Sequence, residues 1–145
     1  MKKNTFFNLV TLISLIILKV TFGYAQDSPN IIFLIGDGMG LSQISSGMYS
    51  NKNKTALENF EYVGLIKTHS ANKLVTDSAA SATAMATGQK TYNGVLGINP
   101  ANIRFKSILE ICREKKYRTA LIATSTIVHA TPAAFASHQP HRSHE

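Results

Sequence analysis

Cysteine is nearly absent, with Cys112 alone among 145 residues. A single thiol forms no intramolecular disulfide and excludes a thiolate zinc cluster. Cys112 falls in an apolar, helix-like stretch, which predicts a buried, inert side chain. Aromatic residues make up only 8%, and none interleaves with the basic ones in a readable pattern. Nucleic-acid binding therefore has little support. The basic cluster Arg113, Lys115, Lys116 and Arg118 reads instead as a solvated helix face. Internal repeats, low-complexity segments and the dinucleotide pattern G-x-G-x-x-G are missing too. So is a long apolar run: Phe6–Leu18 is broken by Asn8, Thr11 and Ser14, too short for a comfortable membrane span.

The first 25 residues read as a secretory signal. Lys2 and Lys3 form a basic start, the apolar stretch follows, and Gly23 and Ala25 flank Tyr24 in a small-x-small cleavage pattern before Gln26. An uncleaved anchor is the alternative, and Lys19 is an imperfection in the pattern. The mature chain is expected to start near Gln26 and to be secreted or periplasmic. No cysteine near the cleavage point invites a lipid anchor. Three of the 15 basic residues lie in this segment, which leaves 12 against 8 acidic ones, or +4 instead of +7. Residues 26–145 are enough for one modest domain.

The stretch Leu74–Gly88, LVTDSAASATAMATG, organises the rest. Asp77 directly precedes Ser78, and a run of small helix formers follows. Asp77 or Thr76 is placed to cap that helix, because a short oxygen-bearing side chain accepts from the free N–H groups of the first turn. Ser78 then sits at a helix N-terminus, where those groups and the helix dipole favour an anion. A nucleophilic serine fits there. A small-residue helix packed in a core, with Ser78 merely structural, fits the same letters.

Upstream, Ile31–Ile35 is a continuous β-branched run between Pro29 and Gly36, the pattern of a buried parallel strand. Asp37 follows among three glycines. A carboxylate at the C-terminal end of such a strand is where open α/β sheets place ligands and metals, although an ordinary strand-to-helix turn reads similarly. Leu41–Tyr49 reads as a short helix and Asn51–Thr55 as a loop. Tyr62–Thr68 and Arg118–Thr124 read as strands, and residues 89–100 as a loop with turn signals at Asn93-Gly94 and Asn99-Pro100. Apolar residues at 105, 108, 109 and 112 predict an amphipathic helix over Phe105–Lys116. The alternation predicts an α/β fold, a three-layer sandwich around a largely parallel sheet, incomplete in this chain. His138, His141 and His144 recur every third position, but Pro140 breaks a helix through them and disfavours a metal site. Ser143-His144-Glu145 reads as the beginning of a helix.

Four segments together resemble the alkaline phosphatase family: IIFLIGDGMG at 31–40, TDSAASATAMATG at 76–88, HATPAAFASH at 129–138, and Arg142, eleven residues beyond Thr131. The resemblance covers residues 30–145 and the N-terminal third or so of a family member. It implies phosphate monoester hydrolysis through a phosphoserine, with two zinc ions and one magnesium ion. By position it makes Ser78 the nucleophile, Arg142 the phosphate-binding residue and Asp77 the group that orients Arg142. It makes Asp37 a ligand bridging zinc and magnesium, and Thr131 a magnesium ligand through its hydroxyl. A zinc-activated water would then cleave the phosphoserine. His129 stands where some members carry aspartate and others, animal enzymes included, carry histidine. Imidazole suits zinc better than magnesium, so His129 is a candidate ligand of a third site whose metal stays open. Family members are often dimers.

Most of the family's zinc ligands lie later in the chain than residue 145. The expectation is a piece of a longer phosphatase, inactive and poorly folded alone, with open sheet edges and uncovered apolar surface. A non-catalytic α/β remnant is the competing reading. A sulfatase needs a cysteine or serine followed by Pro and Arg at set offsets, which Ser78-Ala79-Ala80-Ser81-Ala82 does not offer. A phosphodiesterase on the same scaffold stays open.

Overall fold

A computed structural model describes residues 29–144. The signal-like segment 1–25 lies outside the described residues. The chain divides into two compact units, Met1–Ile35 and Gly36–Glu145. In the first, described residues 29–35 form extended chain without a ladder, and Ile31, Ile32 and Leu34 are exposed.

The second unit carries four α-helices among the described residues: α1 (Leu41–Ser50), α2 (Ser78–Thr87), α3 (Ile108–Glu114) and α4 (Ala130–Ala133). A 3-10 turn at Ala56–Asn59 follows α1. It was missed by the sequence, although Thr55 and Glu58 cap it reciprocally at 3.3 and 2.9 Å. Helix α1 ends one residue later than expected. Gln43 Oε1 accepts from the Gly40 amide at 3.0 Å at its start.

The core is built on α2. Ala79, Ala80, Ala82, Thr83 and Ala86 are buried. Their small side chains let α2 lie against α3 and α4, with Leu96, Ile98, Ala130, Ala134 and Phe135 closing the remaining space. Asp77 is the N-cap, accepting from Ala80 N at 2.9 Å. Gly88 ends the helix with φ +72°, a left-handed value that costs glycine least, and returns its amide to Ala84 O. Fully buried Thr83 is a polar staple within the core. Its hydroxyl donates to Val95 O at 3.2 Å and accepts from Gly97 N at 3.0 Å.

Three expected strands are not strands. Residues 31–35, 62–68 and 118–124 carry no β ladder among the described residues. Leu65 and Ile122 are almost wholly exposed. A buried parallel strand needs neighbours on both edges and a layer on each face, and residues 29–144 supply neither. The only β pairing among the described residues is two isolated antiparallel bridges, Leu96 with Gln139 and Ile98 with Arg104. The layered sandwich is thus not seen here.

Helix α3 is shorter than its apolar period suggested. Ser107 caps it, accepting from Glu110 N at 3.2 Å, while Glu110 accepts from Ser107 N at 2.8 Å. Ser107 has extended backbone, φ −78° and ψ 158°, so the helix begins after it and Phe105, whose amide bonds Gly97 O at 2.8 Å, stays outside. Cys112 is half-buried, not fully buried, because α3 lies at the surface. Ser143 lies in a turn closed by His144 N on His141 O, not at a helix start.

Candidate functional site

The first turn of α2 gathers the site. Ser78 is the first helical residue and is half-buried. Asp77 Oδ1 is tied to Ala80 N, and Oδ2 accepts from Gly94 N at 2.9 Å. Both carboxylate oxygens are thus held by main-chain donors. Arg142 arrives from 64 residues away and donates from Nη1 to Ser78 Oγ at 2.9 Å and, more loosely, to Asp77 Oδ2 at 3.4 Å. Asp77 and Arg142 are each about three-quarters buried. The ion pair is therefore shielded from water enough to hold geometry, yet the site stays open to ligand.

Arg142 has a planar fork of five donors. Among the described residues it is engaged through Nη1 alone. Among the described residues the remaining side-chain donors meet no acceptor, which leaves them available to a tetrahedral oxyanion. Helix N-terminal amides add a favourable field for the same charge. Two surface concavities, one lined by α1 and the turn after it and one by His69–Leu74, include none of Asp77, Ser78 and Arg142.

A second cluster joins Asp37 to Thr131. Asp37 sits in a turn closed by Met39 N on Gly36 O at 3.1 Å. Thr131, on α4, donates from Oγ1 to Asp37 Oδ2 at 2.6 Å across 94 residues of sequence. A carboxylate and a hydroxyl are hard oxygen donors, and this pair fits magnesium. His129 lies just before α4, exposed, and its side chain does not cap the helix. Among the described residues no group of three or more His, Cys, Asp or Glu side chains is placed to hold a metal ion, so the Asp37–Thr131 pair alone does not complete a metal site.

The histidine repeat near the end has a structural use. His138 Nδ1 meets Arg104 Nη2 at 3.2 Å, and Nε2 meets Phe105 O at 2.7 Å. Arginine can only donate, so Nδ1 accepts and Nε2 carries the hydrogen. Both ring nitrogens are thereby engaged.

Sequence reasoning missed Asn93 and Gly94 as site residues. Their turn signal was legible, but nothing in the letters linked them to Asp77. Asn93 Oδ1 accepts from Asp77 N at 3.3 Å and Asn93 Nδ2 donates to Val75 O at 3.0 Å.

A helix-seated serine beside an arginine paired with an acid is suited to holding an oxyanion against a hydroxyl. Comparison with known proteins narrows this reading. The family model described as alkaline phosphatase matches residues 28–145. This chain belongs to the alkaline phosphatase family. It is 43% identical over 129 residues to alkaline phosphatase 3 of Bacillus subtilis, covering 83% of this chain and 28% of that relative. It is similar in structure to the alkaline phosphatase of the Antarctic bacterium TAB5, at TM-score 0.71 and 46% identity over 74% of this chain and 32% of that one. A histidine-to-aspartate variant of TAB5 alkaline phosphatase, solved with magnesium bound in its M3 site, matches at TM-score 0.72 and 44% identity, over 74% of this chain and 31% of that one. The chain thus spans about three-tenths of the length of these relatives. The family implies metal cofactors.

Proposed function

We propose that the whole protein hydrolyses phosphate monoesters through a phosphoserine at Ser78. The observation that carries the reading is the 2.9 Å contact of Arg142 Nη1 with Ser78 Oγ, beside the Asp77 cap. A phosphate held by the guanidinium fork lies against the hydroxyl it is to react with, so much of the entropic cost of meeting is met by binding. Ser78 Oγ gives up its proton and forms a bond to phosphorus as the ester oxygen departs with its electron pair and takes up a proton. Water then attacks the phosphoserine, releases inorganic phosphate and restores the hydroxyl. Arg142 stabilises the charge spread over the phosphoryl oxygens in both halves. Asp77 helps orient Arg142 and is itself fixed by Ala80 N and Gly94 N.

Bound metal ions supply Lewis-acid chemistry and a reactive hydroxyl at neutral pH. Asp37 and Thr131 would hold magnesium, and Asp37 would be shared with one of two zinc ions. The other zinc ligands would come from outside the described residues. His129 would border a third site. The magnesium-bound TAB5 variant, in which a histidine gave way to aspartate, supports linking a histidine to metal choice there.

The remaining readings follow the family. The whole protein would be a three-layer α/β sandwich in which 31–35, 62–68 and 118–124 gain their ladders. The similarity to TAB5 alkaline phosphatase, at TM-score 0.71 over 74% of this chain, supports this reading. Residues 26–145 would be the N-terminal part of its catalytic domain, following a cleaved signal, in a secreted or periplasmic homodimer. No described helix is long and apolar enough to cross a membrane.

The test is p-nitrophenyl phosphate hydrolysis with zinc and magnesium by the longest product of the reading frame, beside its Ser78→Ala variant. Loss of turnover in the variant supports the nucleophile. Full turnover without Ser78, or an inactive parent, contradicts it.

A further inference from the structure

Gly94 touches both halves of the anion site with its own backbone. Its amide donates to Asp77 Oδ2 at 2.9 Å, and its carbonyl accepts from Arg142 N at 2.7 Å. Asn93 beside it accepts from Asp77 N, donates to Val75 O, and has its own amide held by Asn72 Oδ1 at 3.1 Å. The turn therefore grips the helix cap and the arginine backbone at once. Gly94 is buried with φ +85°, and a Cβ there would lie 3.0 Å from the His141 ring, one residue from Arg142. A side chain at 94 thus strains the turn and presses on the neighbour of the arginine.

We propose that the Asn93-Gly94 turn is a positioning element of the phosphate site, with Gly94 setting the separation between the Ser78 hydroxyl and the Arg142 guanidinium. The proposal rests on the phosphatase reading for its substrate, but its physical content is the placement of Arg142. The 3.4 Å contact between Arg142 and Asp77 is too long to fix the guanidinium alone. The short main-chain bond from Arg142 to Gly94 is the stronger constraint. Asn93 and Gly94 touch neither Ser78 Oγ nor the guanidinium directly, so they act through Asp77 and Arg142.

The experiment is a double-mutant cycle in the full-length, metal-loaded protein. Affinity for inorganic phosphate is measured by calorimetry for wild type, Gly94→Ala, Arg142→Ala and the double variant, with p-nitrophenyl phosphate kinetics alongside. A misplaced guanidinium should weaken phosphate binding by about tenfold to a hundredfold in Gly94→Ala. In the Arg142→Ala background the same change should cost less than about threefold, because the group it positions is gone. An equal loss in both backgrounds overturns the proposal, as does wild-type affinity in Gly94→Ala. If Gly94→Ala does not fold, Asn93→Ala takes its place and is judged by the same two outcomes. Calorimetry needs no turnover, so the cycle decides the positioning role even if Ser78→Ala shows that the serine is not the nucleophile.

Discussion

At the scale of single residues, the site is a set of unequal bonds. Ser78 Oγ accepts from a cation at 2.9 Å, while the acid that accompanies that cation is held mainly by amides. Arg142→Lys keeps the charge but loses the fork, so phosphate affinity should fall by roughly tenfold or more in calorimetry. Undiminished affinity would show that charge alone suffices. The Asp37–Thr131 pair makes a separate prediction. Thr131→Val deletes the hydroxyl that meets Asp37 at 2.6 Å and should raise the magnesium concentration needed for half-maximal activity, with zinc held constant. These pairings were partly legible. The Asp77 cap followed from side-chain chemistry. The links of Arg142 to Ser78 and of Thr131 to Asp37 span 64 and 94 residues, and only the family resemblance pointed to them.

At the scale of elements, three of the four described helices were readable, α4 was not expected, and the strands did not form. A helix closes its hydrogen bonds within itself, so Asp77 and Gly88 marked the ends of α2 in the sequence. The start of α3 was misplaced because apolar spacing counted Phe105 and overlooked the Ser107–Glu110 capping box, a signal that was present. A strand closes its bonds with another segment, and β-branched runs such as Ile31–Ile35 announce only half of the pair. Thr83 gives an element-scale prediction: Thr83→Val leaves Val95 O without its donor and Gly97 N without its acceptor. It should cost about 1–3 kcal/mol in denaturant unfolding. Glu110 gives another. The Ser107 amide holds its carboxyl below the usual glutamate range, against a smaller opposing effect of burial, and the nearby Arg104 adds to the lowering. A carboxyl whose pKa is lowered on folding stabilises the fold above its unfolded pKa. That contribution fades as pH falls through the folded value. Wild type should therefore melt above Glu110→Gln at neutral pH, and the two curves should converge in acid. A gap that stays constant with pH would contradict this.

At the scale of the whole molecule, apolar surface exceeds what a small core can cover. Ile31, Ile32, Leu34, Val63, Leu65 and Ile122 are exposed, while the buried set is dominated by alanines around α2. Isolated patches of this kind mark surfaces built to be covered. Residues 1–145 expressed alone should bind a hydrophobic dye strongly and hydrolyse no phosphate ester, whereas a longer product of the frame should do neither the first nor fail at the second. A soluble, dye-negative, active 145-residue chain would refute the account of its surface.

The central claim is that Ser78 takes up the phosphoryl group, and peptide mapping tests it most directly. The full-length protein would be incubated with inorganic phosphate at acid pH, quenched, digested with trypsin and examined by mass spectrometry. Cleavage after Lys73 and Lys90 isolates residues 74–90, which contain Ser78, Ser81 and three threonines. The account predicts one phosphate on that peptide, at Ser78, absent from Ser78→Ala. A phosphate at another residue, or one that persists in Ser78→Ala, would contradict it.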